Sequence, residues 1–360
     1  MGDKVGTTKM NKRKYAFRVF CIKLFSWEYW PMWVVYFPVS FYYLYLSVKA
    51  RSLFFFSASN PTIETGGMFF ESKWKIFELM PKEYFPKTIL VNDEQTADAI
   101  VQNMADAGIE FPIVAKPDRG ERGWAVQIIH NQSQLTLYRQ RVQVAFLIQS
   151  YINYPLEFSI FYYRHPLQHS GAVTSVTMKK LLTITGNGIS TVGQLIASDN
   201  RSLLQMKTLA NREKIDMGRV LPMGEEMVLV PYGNHVRGAM FLNYNHIIDS
   251  QLTQTFDSIS HQINGFYFGR FDIRCTSIED LKQGKNISIL ELNGAGAEPA
   301  HIYHPGFSFW EGQRVLASHY KMMYHAAIEN KKKGVLFMSY ADYKEMKRQE
   351  KTYKSKITFS

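Results

Sequence analysis

The sequence predicts an α+β fold. Strand-like runs with period-two alternation, such as residues 269–274 and 287–293, are interspersed with stretches of helical spacing, such as 94–107 and 250–264. Apolar residues make up 46% of the chain and charged residues 20%, the balance of a folded globular protein. At 360 residues there is material for one large or two ordinary domains.

The pair of runs at 269–274 and 287–293 organises the rest. Phe271, Ile273 and Cys275 alternate with Asp272 and Arg274, and Ile287, Ile289 and Leu290 precede Glu291 and Asn293. Residues 276–286 read as a polar connector. As neighbouring antiparallel strands the two runs bring Asp272, Glu291 and Asn293 to one end of a sheet. Two carboxylates and a carboxamide form an oxygen-donor set for a hard cation such as Mg²⁺. Arg270 adds a planar cationic fork suited to a phosphate oxygen. The plain alternative is two strands with ordinary polar ends.

The net charge of +11 is concentrated at the ends. Residues 1–25 carry seven Lys/Arg and one Asp, and residues 331–356 carry nine Lys/Arg and three Asp/Glu. The remainder is close to neutral, which argues against a nucleic-acid-binding face. Two basic ends suit an anionic membrane surface or, equally, solvated tails. The two cysteines, Cys21 and Cys275, have no metal-ligand spacing and read as reduced thiols in a cytoplasmic setting.

Between Tyr29 and Val48 there is no charged residue. That length just reaches a bilayer span. However, Pro31 and Pro38 interrupt a helix, and Trp and Tyr are scattered along the stretch. Cations also flank both sides (Arg18 and Lys23, then Lys49 and Arg51), so a kinked segment dipping into the inner membrane face fits better. A buried aromatic helix and a true span are the other readings. Residues 51–67 read as loop, whose Phe54, Phe55 and Phe56 must be buried in lipid or against the body.

Further along, residues 71–80 look helical and 88–91 form a short strand. Residues 111–129 read as strand, turn, strand, with Lys116 before Pro117 and a turn holding Arg119, Gly120, Arg122 and Gly123. Glycines let backbone N–H groups approach phosphates, and Arg119 and Arg122 add charge for them. An apolar strand at 145–152 leads through a polar linker to Glu157, an arrangement suited to a nucleoside. Residues 172–184 are strand-like, and 185–196 give a Gly turn and a capped helix. Helical stretches follow at 201–212 and 309–330, with a strand at 227–230.

The order of these motifs resembles the ATP-grasp superfamily of ligases, nearest the branch of D-alanine–D-alanine ligase and cyanophycin synthetase. The motifs are Glu71-Ser-Lys73, strand–Lys116–Pro–Gly loop, strand–linker–Glu157, Gly186-Asn-Gly-Ile-Ser-Thr191, and Arg270-x-Asp272 followed by Glu291-x-Asn293. The resemblance implies two α+β subdomains clasping ATP across residues 71–325, after a basic, aromatic membrane-associating region (1–58) and before a basic tail (331–360). It implies that Lys73 and Lys116 bind phosphates, that Gly120 and Gly123 lie in a mobile phosphate loop, and that Gln149, Ser150, Tyr151 and Ile152 form the adenine hinge. Glu157 would bind the ribose. Asp272, Glu291 and Asn293 would hold two Mg²⁺, or Mn²⁺, and Arg270 would stabilise the transferred phosphoryl group. Members phosphorylate a carboxylate, and an amine or thiol then attacks the acyl-phosphate. A homodimer rests on analogy alone.

Two departures bear on the substrate. The 1–70 region replaces the globular domain that usually precedes the grasp, and Arg119, Glu121 and Arg122 replace a Ser-rich loop. Arg237, His235, Arg274 and the Glu298, His301, His304 loop are candidates for an acceptor pocket, with arginines suited to a carboxylate. The substrates are then small-molecule or lipid-linked carboxylates and amines. A membrane-peripheral nucleotide-binding scaffold without ligase activity and a small-molecule kinase are the alternatives.

Overall fold

A computed structural model of the chain describes residues 12–121, 123–210, 215–230, 233 and 238–358. In order the elements are α1 (Lys12–Phe25), α2 (Met32–Ala50), α3 (Lys73–Leu79), β1 (Thr88–Val91), α4 (Ala97–Asp106), β2 (Ile113–Pro117), β3 (Gln127–Ile129), α5 (Gln132–Arg141), β4 (Phe146–Ser150), β5 (Leu156–Tyr163) and β6 (Ala172–Lys180). Then follow β7 (Leu182–Thr185), α6 (Val192–Ser198), α7 (Asn200–Ala210), β8 (Glu226–Val230), β9 (Met240–Asn243), α8 (Ser250–Gln262), β10 (Phe268–Cys275), α9 (Ile278–Gln283), β11 (Ile287–Asn293), α10 (Phe309–Lys332) and α11 (Tyr340–Ser355). Two compact units result. The first comprises Met1–Pro38, Met178–Asn243 and His301–Gly312; the second comprises Val39–Thr177, Tyr244–Ala300 and Gln313–Ser360.

In the first unit β7 and β8 pair antiparallel, and Leu182, Ile184, Leu229 and Val230 meet Val192 and Ile196 of α6 and Leu209 of α7 in a small core. Thr191 and Gln194 form a reciprocal capping box that starts α6. Arg18 of α1 donates to the carbonyls of Ala197 and Ser198, the C-terminal end of α6 where a cation is favoured. Arg201 is buried and satisfied by Glu28 and the Ala239 carbonyl.

The second unit holds two sheets. One is fully antiparallel with order β1-β4-β2-β3. Its buried face packs Ile113, Ala115, Phe146 and Ile148 against Ile100 and Met104 of α4 and Leu135 and Tyr138 of α5. The other has the neighbouring order β11-β10-β5-β6. One of its faces packs Phe271 on Phe256 of α8 and on Phe266. Beside it lies an aromatic cluster joining Leu46 and Ala50 of α2, Phe55, Phe56, Phe161, Phe268, Met323 and Ala327.

Asn60 ties the segment after α2 to this sheet. Its carboxamide donates to the carbonyls of Gly66 (2.9 Å) and Phe268 (2.8 Å) and accepts from the N–H groups of Tyr267 (2.9 Å) and Phe268 (3.0 Å), all without solvent exposure. The turn it shapes approaches the strand end closely: a Cβ on Gly67 would lie 2.7 Å from the Cα of Gly294. The N–H groups of Ala295 and Gly296 donate to the Gly66 and Gly67 carbonyls.

Several expectations are corrected. Pro38 does not end the helix: α2 starts just after Pro31 and runs through Pro38 to Ala50, because losing one backbone bond costs less than its packed face returns. Among the described residues no helix is long and apolar enough to cross a membrane. Of the two places open to the Phe54–Phe56 run, the protein body is the one used: Phe55 and Phe56 are buried there and Phe54 stacks on Tyr343. The connector 276–286 contains α9, capped by Ser277 and stopped by Gly284 in the left-handed conformation. Residues 172–184 form two strands. Residues 340–355 form α11, whose Tyr353 hydroxyl donates to the Ala145 carbonyl and accepts from the Arg119 N–H.

Asn60→Ala removes four hydrogen bonds, three of them buried, and should lower stability by about 3 kcal/mol. Urea unfolding of the two proteins, with the midpoint shifted and the slope unchanged, is the check.

Candidate functional site

One face of the sheet containing β5, β10 and β11 carries a polar row. Antiparallel register sets Asp272 opposite Glu291 and Arg270 opposite Asn293. On the other side Asp272 faces Ser159 and Arg274 faces Glu157. Directly opposed residues share a face, so β5, β10 and β11 present Glu157, Ser159, Arg270, Asp272, Arg274, Glu291 and Asn293 together. Beyond Arg270 the same face turns aromatic at Phe161 and Phe268.

Asp272 is the centre of this row. Arg270 grips it with both ends of its guanidinium, Nε to Oδ1 at 3.0 Å and Nη2 to Oδ2 at 3.1 Å, and spends Nη1 on the Glu298 carbonyl at 3.1 Å. Burial works against the Arg270 charge, but Asp272, Glu298 and Glu291 outweigh it and its pKa is raised. Ser159 donates to Asp272 Oδ1 at 2.6 Å and the Asn293 carboxamide reaches Oδ2 at 3.5 Å. Ser159 was not identified from the sequence. Its only signal there is its place two residues after Glu157, which puts it on the same face of β5.

Between Asp272 and Ile273 the register shifts, leaving Leu290 as the extra residue of a β-bulge. Its carbonyl accepts from Lys116 Nζ at 3.0 Å. Lys116, at the end of β2, also donates to Gln149 Oε1 at 3.2 Å and lies 5.1 Å from the Phe77 ring centroid. Burial lowers its pKa to about 8; Glu291 raises it and Lys73 adds to the lowering. Lys73 opens α3, donates to the Gly120 carbonyl and stands 3.9 Å from Glu291. Two lysines from separate elements thus converge on Glu291. Glu71, two residues before Lys73, has one carboxylate oxygen buried without a hydrogen-bond partner. Burial raises its pKa, helped by Glu121 and Glu291 and opposed by its own backbone N–H and by Lys73.

The glycine turn is anchored rather than open on every side. Asp118 accepts from Ser72 Oγ (3.0 Å) and the Trp74 N–H (2.8 Å), fixing the start of α3 to the end of β2. Arg119 does not face outward toward an anion. It pairs with Glu64 at 2.7 Å, binds the Phe70 carbonyl and lies over the Phe70 ring. Gly120 and Gly123 both have positive φ, 146° and 72°, so the turn demands glycine there. Arg122 lies outside the described residues.

Gln149 and Ser150 end β4, and Tyr151 and Ile152 begin the connection to β5. Glu157 belongs to β5 itself, not to the linker, opposite Arg274. Arg274, a candidate for binding a substrate carboxylate, is instead paired with Glu157 at 3.3 Å and donates to the Ile152 carbonyl at 2.7 Å. It therefore braces the connection from below. His301 and His304 sit in the first unit: His301 is buried edge-on to Phe307, and His304 accepts from the Asn243 N–H at 3.2 Å. His235 and Arg237 lie outside the described residues.

Among the described residues no group of three or more His, Cys, Asp and Glu is arranged to hold a metal. A cation here would rest on two carboxylates and one carboxamide, an all-oxygen set that fits Mg²⁺ or Mn²⁺ and not zinc.

No family model and no curated protein matches the chain. Among solved structures, it is similar to a bifunctional glutathione synthetase from Pasteurella multocida (14% identity, TM-score 0.38, 70% of this chain and 35% of that one). It is also similar to a D-Ala:D-Ser ligase from Enterococcus faecalis (13% identity, TM-score 0.38, 71% and 62%). A third is the D-alanine–D-alanine ligase of Bacillus anthracis complexed with ATP (11% identity, TM-score 0.38, 73% and 68%). The chain thus spans about a third of the first and about three fifths of the second. Likenesses this distant carry no chemistry, which rests on the residues just described.

Glu64 gives a pH signature for the turn. Burial raises its pKa, but bonds from Arg119, Lys75 and the Ser72 N–H overcome this and bring it down to about 2. A depressed carboxyl contributes stability above its unfolded value near 4.5, and that contribution fades as pH falls toward 2. Glu64→Gln should therefore be less stable than the native chain at pH 6.5, and the gap should narrow by pH 3, as read from denaturant midpoints.

Proposed function

We propose that the chain is an ATP-grasp ligase, an ATP-dependent carboxylate–amine (or carboxylate–thiol) ligase acting through an acyl-phosphate at the cytoplasmic face of the membrane. The observation that carries this is the bulge at Leu290. It brings the buried Lys116 ammonium onto the same strand that presents Glu291 and Asn293 beside Asp272 and Arg270. Cations for a polyphosphate and oxygen donors for a hard cation thereby share one strand end.

In this reading Lys116 and Lys73 hold the phosphates and the 120–123 turn covers them. Residues 149–152 bind the adenine edge through backbone groups, and Glu157 takes the ribose hydroxyls. Asp272, Glu291 and Asn293 would hold Mg²⁺, or Mn²⁺, which when bound neutralises charge on the transferring phosphoryl group. A carboxylate oxygen attacks the γ-phosphorus, the bond to the ADP oxygen breaks, and an acyl-phosphate forms. The amine nitrogen, or a thiolate, then attacks the acyl carbon, phosphate leaves with its bonding electrons, and the amine sheds a proton. Arg270, part-buried and always charged, faces the phosphoryl oxygens. Ser159 and Arg270 together orient Asp272. The substrates are small-molecule or lipid-linked carboxylates and amines.

The decisive experiment is ADP release from Mg²⁺-ATP by the full chain with lipid present, over a panel of carboxylates and amines. Acceptor-dependent release is expected, falling at least a hundredfold in Asp272→Ala. ATP turnover without an amine, leaving a phosphorylated product, would establish a kinase instead. ATP binding without turnover on any pair would favour a scaffold.

Lys116 supplies a second test. With a pKa near 8 it loses charge as pH rises through 8, and phosphates should restore that charge. ATP affinity should fall between pH 7 and 9, with proton uptake on binding measurable by calorimetry in two buffers. Lys116→Met should weaken binding about tenfold or more and abolish the uptake.

A further inference from the structure

We infer that α2 and the segment after α10 form an in-plane docking face for an anionic lipid bilayer. This deepens the membrane part of the proposed function and is independent of the nucleotide site.

Helix α2 has two apolar faces with different fates. Val39, Tyr43, Leu46 and Ala50 turn inward: Leu46 and Ala50 join the core with Phe55, Phe56, Met323 and Ala327, and Tyr43 stacks on Phe55. Phe41, Leu44, Tyr45 and Val48, at i, i+3, i+4 and i+7, turn outward and are 60, 48, 55 and 77% exposed. Just past the helix Leu53 is 57% exposed. Single exposed hydrophobes are normal in folded proteins, but a helical stripe of them is not.

The second basic end meets the same cluster. Val335, Phe337 and Met338 pack against it, which leaves Leu336 between them 87% exposed and Tyr340 62% exposed. Thus two stretches nearly three hundred residues apart in sequence present exposed apolar side chains beside one core.

The charge around this face is mainly cationic, with Lys332 paired to Glu329 at 2.7 Å. No Asp or Glu occurs from Tyr29 to Ile63 or from Asn330 to Ala341, whereas Lys49, Arg51, Lys331, Lys332 and Lys333 lie within those stretches. Lys49 extends over the rings of Tyr45 and Tyr324, and Lys331 lies over Phe337. An apolar stripe containing Trp, Tyr and Phe, edged by cations, is the chemistry of an interfacial helix on anionic lipid. Because its inner face is already packed on the protein, α2 lies along the surface and does not dip into the bilayer.

The test is flotation of the full chain with phosphatidylcholine vesicles, with and without phosphatidylserine. The chain should partition onto the anionic vesicles at least about tenfold more strongly, and added salt should weaken this. Phe41→Glu with Val48→Glu, both at exposed positions, should reduce partition at least about tenfold while leaving ATP affinity unchanged. Arg51→Ala with Lys331→Ala should erase the preference for anionic lipid. Failure of the native chain to bind either vesicle overturns the inference, as does a lipid-free dimer that Phe41→Glu with Val48→Glu converts to monomer. ATP affinity measured on the same samples separates the two proposals. Intact nucleotide binding without vesicle binding sinks docking alone, and the reverse sinks the nucleotide reading alone.

Discussion

The arrangement of the second unit hangs on the Asn60 carboxamide. A buried amide is costly unless each of its groups is satisfied, and Asn60 satisfies all of them on backbone from two distant stretches. It thereby fixes the 60–68 turn against β10. That turn in turn accepts the N–H groups of Ala295 and Gly296, immediately past β11. The strand end bearing Glu291 and Asn293 is therefore held by the N-terminal region and not only by its sheet neighbours. A segment that reads as loop in sequence is a structural wedge.

The candidate site is balanced in charge before any ligand arrives. Asp272 is fully engaged by Arg270, Ser159 and Asn293, while Glu291 is approached by Lys73 and 37% exposed at its side chain. Two carboxylates on adjacent strands thus have unequal freedom. Glu291 is the more available donor, and Asp272 must share its oxygens with Arg270. The bulge creates this geometry. Without the extra residue at Leu290, a regular ladder would engage that carbonyl, and Lys116 would lose its acceptor.

How much of this was legible follows from how local each signal is. The antiparallel pairing of β10 and β11 was readable, because each has one half-buried polar face and so alternates. Even the bulge leaves a trace: apolar Ile287, Ile289, Leu290 and Leu292 slip phase at Leu290. The partners of Asp272 were only partly readable. Arg270 and Asn293 stand near it in the motif, but Ser159 is 113 residues away and becomes relevant only through β5–β10 register. Asn60 meets Phe268 across 208 residues and is indistinguishable in sequence from any turn asparagine before Pro61. Arg119 and Arg274 were assigned to ligands because they were arginines near a cleft motif. The fold uses both internally, since burying either near Glu64 or Glu157 demands a partner. The helix α9 was hidden in a short polar stretch whose only marks are the Ser277 cap and Gly284.

The two basic ends show why net charge is a weak guide to surface potential. Both carry similar excesses of Lys and Arg, but the C-terminal one spends part of its excess within α11. On α11, Lys347 and Lys354 both pair with Glu350, and Arg348 pairs with Glu345, each at helical spacing. That helix is also pinned by Tyr353 beneath the glycine turn, so its role is support. The stretch around α2 has no acidic residue with which to do the same. The C-terminal stretch thus divides its cations: those of α11 are paired within a supporting strut, while Lys331 lies over Phe337 next to the exposed Leu336.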